Sequence, residues 1–255
     1  VAIDKDQEAG EWLARLESQP YLPEIEPALF YLRGVLRSKA GHADMAESLW
    51  QRVAQSNNRL YKIRAELALI DLGVATGSLK PLQAVERLEG LRYAWRGDDL
   101  DFDILHRLGS FYIEAKNFKA GLNVLGQAVH LFPNSPMTPA VRAEMAKTFH
   151  DVFLGDQGAA MSPLEALTLY QDFRDLIPTG EEGVAVGRNL AERLVAIDLL
   201  DQASSLLETQ IKNLKGEEKV KTSARLAAIR LLDRKPEAAL AALDMGKDDM
   251  PASGP

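Results

Sequence analysis

Between Ile104 and Pro136 the chain reads ILHRLGSFYIEAKNFKAGLNVLGQAVHLFPNSP, with Gly109 and Gly121 twelve residues apart inside a pattern of large apolar residues at helical spacing. Few folds accommodate such a stretch. Two helices whose backbones touch need a small residue on each at the point of contact, and large residues on either side that interlock. Leu105, Leu108 and Tyr112 surround Gly109, and Leu125 and Ala128 follow Gly121. Arg107, Ser110, Glu114, Lys116 and Lys119 fill the other faces with polar groups, so each segment carries one apolar stripe. Asn117 marks the turn between the helices, Pro133 ends the second, and Asn134-Ser135-Pro136 opens the next.

The same twelve-residue spacing relates Gly34 to Ala46, Ala191 to Ala203 and Ala227 to Ala239, and the second member is followed four residues later by Trp50, Leu207 and Leu243 respectively. Ala84 with Leu88 and Ala166 with Tyr170 supply two further second helices. The second-helix positions therefore recur every 36 to 45 residues. The prediction is an all-α chain of six helical hairpins: 27–55, 59–95, 101–131, 137–176, 182–214 and 217–244. Within them the helices are expected at 27–40 and 43–55, 59–75 and 81–95, 101–115 and 118–131, 137–154 and 163–176, 182–198 and 201–214, and 217–232 and 236–244. Pro27, Pro81, Pro163 and Pro236 fit first-turn positions, where the missing N–H costs nothing, and Gly41, Gly77 and Gly180 fit turns. No segment reads as a strand.

The 104–136 stretch resembles a tetratricopeptide repeat, through Leu105, Leu108-Gly109, Tyr112, Gly121, Leu125, Ala128 and Pro133. Leu105 stands where that motif has Trp, and Gly121 where it has Ala. The resemblance implies a right-handed α-α superhelix in one domain, 1–246, whose first helices line a concave groove holding an extended peptide or a partner helix. In register with the central repeat, that groove would present Arg64, His106, Arg107, Ser110, Arg188, Asn189, Glu192, Lys221 and Arg225. His106, Arg107, Arg188 and Arg225 would form a basic strip. The Lys and Asn clamp with which some relatives hold a peptide carboxylate is not found in full. In style the sequence is similar to uncharacterised bacterial tetratricopeptide proteins.

At the N-terminus Ala9, Leu13 and Leu16 predict an unpaired half-repeat helix, about 4–18, bearing Trp12. The polar residues 247–255 are expected to be a disordered tail, and the chain is expected to be a segment of a longer array, since solenoid ends normally carry polar caps.

Composition narrows the function. The chain has 255 residues, 46% hydrophobic and 26% charged, enough for a sizeable core. A net charge of −7 argues against a nucleic-acid partner, which needs a basic surface. With no cysteine, disulfides, thiol catalysis and cysteine metal sites are excluded. No apolar run approaches the roughly 18 residues of a spanning helix, so direct membrane insertion is not expected; a soluble chain is, its compartment open. There is no phosphate loop, GxSxG elbow or HExxH, and His42, His106, His130 and His150 are scattered. No catalytic residue, metal site or cofactor is expected. Asp98, Asp99, Asp101 and Asp103 lack the Gly and Glu of a calcium loop and read as caps for the following helix. The insertion 154–163 reads as a tolerated surface loop with Met161 its one apolar anchor. The expectation is a noncatalytic scaffold with a protein or peptide partner; the alternative is a helical accessory domain of a larger enzyme or cell-envelope assembly.

Overall fold

A computed structural model describes residues 8–12, 14–15 and 23–249. Twelve α-helices follow one another over residues 23–249 as antiparallel pairs: α1 (Glu26–Lys39) and α2 (Ala43–Ala54), α3 (Arg59–Thr76) and α4 (Pro81–Leu91), α5 (Asp99–Glu114) and α6 (Phe118–Leu131), α7 (Thr138–Phe153) and α8 (Pro163–Asp172), α9 (Glu181–Val195) and α10 (Leu200–Ile211), α11 (Gly216–Leu232) and α12 (Pro236–Gly246). Among the described residues there is no strand. The fold is all-α, made of repeated helical hairpins. The chain forms two compact units, one ending at Val141 and the other beginning at Arg142.

In the first unit the small residues lie where helices touch. A Cβ added to Gly121 would stand 2.8 Å from the carbonyl oxygen of Gly109, and one on Gly109 would stand 2.6 Å from Leu125 Cδ2. Leu105, Leu108, Leu122 and Leu125 are fully buried around this contact. In the α1–α2 hairpin Gly34 lies under the Trp50 ring, whose Nε1 donates to the Tyr31 carbonyl at 3.1 Å. Ala46, Trp50, Val53 and Ala65 form a buried cluster with Phe30, Tyr31 and Tyr61 packed against it.

Polar residues define the helix starts. Asn58 and Asn117 accept from Tyr61 N and Ala120 N, and so cap α3 and α6. Asp98 caps α5, accepting from Leu100 N at 3.0 Å and Asp101 N at 3.4 Å, and also from Trp95 Nε1 at 2.7 Å. That last bond, with the Arg59 guanidinium donating to the Ala94 carbonyl, holds residues 92–98 as a turn. Consequently α4 ends at Leu91, four residues before the end the apolar pattern predicts.

In the second unit Ala191, Ala203 and Leu207 are buried at the α9–α10 contact, the Phe149 and Phe153 rings lie tilted at 4.6 Å, and Tyr170 meets Phe153 edge-on at 6.1 Å. The insertion after α7 is more than a slack loop. Arg193 on α9 donates to the carbonyls of Gly158 and Met161, and Ser162 and Glu165 close it with a reciprocal capping box at the start of α8. Burial lowers the Arg193 pKa. Where the sequence pattern suggests a helix to residue 176, α8 ends at Asp172 and a separate 3-10 turn covers Arg174–Leu176. Residues 247–249 form another 3-10 turn, with Asp249 accepting from Lys219 Nζ at 2.6 Å and Gly216 N at 2.7 Å. Leu13, Leu16 and 250–255 lie outside the described residues; Ala9 and Trp12 are exposed.

Candidate functional site

The first helices α1, α3 and α5 of the first unit enclose a groove of about 550 Å³. Its floor is apolar and aromatic because the large residues of the interlocking pattern reach past their small partners: Tyr31 and Val35 from α1, Trp50 from α2, Leu67, Ala68 and Leu72 from α3. Charges of both signs stand along it, with Lys39, Arg64 and Arg107 against Asp71, Asp99 and Asp103. Tyr31 and Tyr61 rings lie 5.8 Å apart, and the Arg64 guanidinium sits 5.5 Å from the Tyr61 ring. Burial pushes the Tyr31 phenol above its ordinary pKa, while Arg64 and Arg107 pull it the other way. At neutral pH Tyr31 therefore offers a neutral hydroxyl.

Of the residues named from sequence, Arg64 and Arg107 line this groove. Arg107 Nε donates to both carboxylate oxygens of Asp71, at 3.1 and 2.8 Å, and its Nη1 to the Asp103 carbonyl at 3.3 Å. This clamp ties α5 to α3. His106, on the same helix, is half-buried 6.2 Å from the Phe102 ring and does not line the groove; Ser110 is half-buried one turn further on.

In the second unit the named residues meet as a ladder of ion pairs between α9 and α11. Arg188 Nη2 donates to Glu218 at 2.7 Å, and Arg225 donates through Nε and Nη2 to the two oxygens of Glu192 at 2.6 and 2.5 Å. Lys221 bridges Glu217 at 2.8 Å and Glu218 at 3.3 Å. Burial would raise the Glu218 pKa, yet Lys221 and Arg188 hold it below the usual carboxylate range. The Glu192 hydrogen bond raises the Arg225 pKa. Asn189 is exposed beside this ladder. Three cations expected to stand open toward a ligand, Arg107, Arg188 and Arg225, are thus each shared with a carboxylate 30 to 36 residues away in sequence.

The sequence reading missed these acidic partners, Asp71 and Glu218, as well as the groove's aromatic residues. The signal was present: opposite charges about one repeat apart fall side by side when equivalent helices neighbour each other. Among the described residues no group of three or more His, Asp or Glu side chains is placed to hold a metal ion, and no helix is long and apolar enough to cross a membrane. Chemically the groove offers an apolar floor, a neutral phenol and charges of both signs.

The contact that decides the fold type is the packing of small residue on small residue at twelve-residue spacing, seen directly at Gly109 and Gly121. The chain is an all-α protein of repeated helical hairpins. No family model and no curated protein matches it. Solved structures similar to it include a putative kinesin light chain with nearly identical TPR-like repeats from Podosopora anserina, at 17% identity over 70% of this chain and 90% of that one, TM-score 0.42. A TPR repeat-containing protein from Cytophaga hutchinsonii is 16% identical over 95% of this chain and 96% of its solved C-terminal part, TM-score 0.42. A signal transduction ATPase with a tetratricopeptide repeat sensor, from Pyrococcus horikoshii, is 14% identical over 95% of this chain and 39% of that one, TM-score 0.45.

Proposed function

We propose that this tetratricopeptide-like protein is a noncatalytic scaffold whose first helices hold an extended segment of a partner protein. The observation that carries the reading is the groove across α1, α3 and α5, where an aromatic and aliphatic floor is bordered by charges of both signs. An extended peptide presents side chains alternately to two sides, so apolar residues can enter the floor while charged ones meet the border. The ion pairs refine the partner. Because Arg107 is clamped by Asp71, the groove does not act as an open basic strip, and the occupant it fits carries mixed charge rather than an acidic run. Arg64 stacks on Tyr61 and makes no ion pair among the described residues. It is the border cation best placed to take a ligand carboxylate. In the second unit Arg188, Asn189, Glu192, Lys221 and Arg225 would form the corresponding wall, with Asn189 free to pair with peptide backbone.

The test starts from a partner identified with the full chain as bait. Arg64→Glu and Ala68→Trp, which reverses one border charge and fills the floor, should each weaken binding, and Lys119→Glu on the second helix α6 should not. Unchanged affinity in both groove variants, or loss confined to Lys119→Glu, would place the partner elsewhere.

A further inference from the structure

The second unit contains another concavity, of about 880 Å³, built by second helices α8 and α10 with the first turn of α9. It exists because α8 is short. With ten residues against the fifteen of α9, it ends at Asp172 and leaves the start of α9 uncovered. The chain continues as the 3-10 turn Arg174–Leu176, then passes through Ile177 and Pro178 directly over Gly183, where an added Cβ would meet the Pro178 carbonyl oxygen at 2.1 Å. One turn on, Gln210 of α10 lies against Gly187 and donates from Nε2 to the Gly183 carbonyl at 3.1 Å. The two glycines thus let Pro178 and Gln210 pack directly onto the α9 backbone.

Leu167, Tyr170, Ile177, Val184, Leu206 and Leu214 make the walls apolar. The polar lining is mostly uncharged: Gln171, Gln202, Thr209 and Asn213 offer amides and a hydroxyl, donors and acceptors suited to a peptide backbone. The lining charges are largely answered from within. Asp201 is taken by Lys235 at 2.8 Å, and Glu218 by Arg188 and Lys221. Glu181 sits in the first turn of α9, where the positive helix end favours it. Arg174 is exposed, and its side chain makes no hydrogen bond or ion pair among the described residues; its carbonyl accepts from Ile177 N at 3.1 Å.

We propose that this second-helix groove is a separate docking site for a short extended segment of a partner protein, placing apolar side chains in the floor and one carboxylate on Arg174. The volume is that of a ligand site, within the roughly 300–1,000 Å³ in which such sites fall. Charge complementarity selects the occupant: an apolar segment with a single acidic group matches a lining whose one cation is Arg174, and a polyanion, which would also face Glu181, Asp201 and Glu218, does not. The site shares no side chain with the groove of α1, α3 and α5, so either can exist without the other.

The full chain is the target for a phage-displayed library of random nonapeptides, and the enriched sequences are resynthesised and measured by fluorescence anisotropy. Enriched peptides should combine at least two apolar residues with one Asp or Glu. Ser205→Trp, which inserts an indole from an exposed position on the lining, should lower affinity at least about tenfold, as should Arg174→Glu through loss of a charge-assisted bond. A peptide with Lys in place of its acid should then bind Arg174→Glu better than the unaltered chain, an effect that no loss of folding can imitate. The proposal is overturned if the charge exchange fails, if Ser205→Trp leaves affinity unchanged, or if affinity falls only in Arg64→Glu. That last pattern would assign the peptides to the first-helix groove and sustain the proposed function without this site.

Discussion

Replacing Gly121 by Ala adds one methyl group at the tightest contact in the α5–α6 hairpin. The new Cβ would stand 2.8 Å from the Gly109 carbonyl oxygen, 3.2 Å from Ile113 N and 2.6 Å from Ile113 Cγ1. Ile113 can rotate. The two backbone atoms cannot yield without the helices separating by several tenths of an ångström, which loosens the surrounding fully buried leucines, Leu105, Leu108, Leu122 and Leu125. Overpacking of this kind costs about 1 to 3 kcal/mol, against a gain of up to about 1 kcal/mol from replacing Gly by Ala in a helix. The net expectation is a loss of about 1 to 2 kcal/mol. Gly90 provides the matched control. It lies on α4, exposed, with nothing within 4 Å of an added Cβ, so Gly90→Ala should stabilise by up to about 1 kcal/mol. Urea denaturation followed by circular dichroism, with hydrogen exchange at the α5 and α6 amides, reads both variants. Because helical repeats can unfold locally, the exchange data locate the change. If Gly121→Ala matches or exceeds the stability gained by Gly90→Ala, the backbone contact is not as close as described.

Three further outcomes are expected. Asp98→Ala removes a cap from α5 and should cost about 1 kcal/mol, whereas Asp98→Asn, which keeps an accepting oxygen, should cost less; equal losses would show that the cap geometry is unimportant. The Trp95 hydrogen bond foremost lowers the Asp98 pKa, Lys147 that of Asp151, and Lys219 that of Asp249. Carboxylates depressed in the folded state contribute stability above their unfolded pKa of about 4 and lose it as pH falls through the folded value, so the urea midpoint should hold from neutral pH to about 5 and fall below 4. A midpoint that rises on acidification would contradict these pairings. Arg193→Ala should release residues 154–162, seen as faster exchange and proteolysis there with overall helicity kept; unchanged protection would mean that its bonds to Gly158 and Met161 do not hold the loop.

How much could be read from the chain beforehand depends on how local each interaction is. The hairpins were legible because their contacts are made by residues twelve to sixteen apart, as with Gly109 and Gly121 or Gly34 and Trp50, a distance over which helical periodicity survives. The end of α4 was not, since it depends on Asp98 and Arg59 holding Trp95 and Ala94 rather than on Gly or Pro. The early end of α8 is likewise silent in the apolar pattern. For the candidate site, spacing within each helix identified Arg107, Arg188 and Arg225 as residues of the first helices. It did not reveal that Asp71, Glu218 and Glu192 lie against them, because neighbouring equivalent helices are brought together by the stacking of hairpins and not by the helix period. Trp50 enters the sequence pattern only as the large residue four after Ala46, and Tyr31 not at all, although both line the groove.

The most direct measurement of the central claim is site-specific photocrosslinking. Benzoylphenylalanine placed at Ala68, in the groove of α1, α3 and α5, or at Lys119 on α6 would be irradiated with the partner bound, and the crosslinked peptide read by mass spectrometry. The scaffold account predicts crosslinks from Ala68 to one contiguous partner segment and none from Lys119. Crosslinks from Lys119 alone would contradict it.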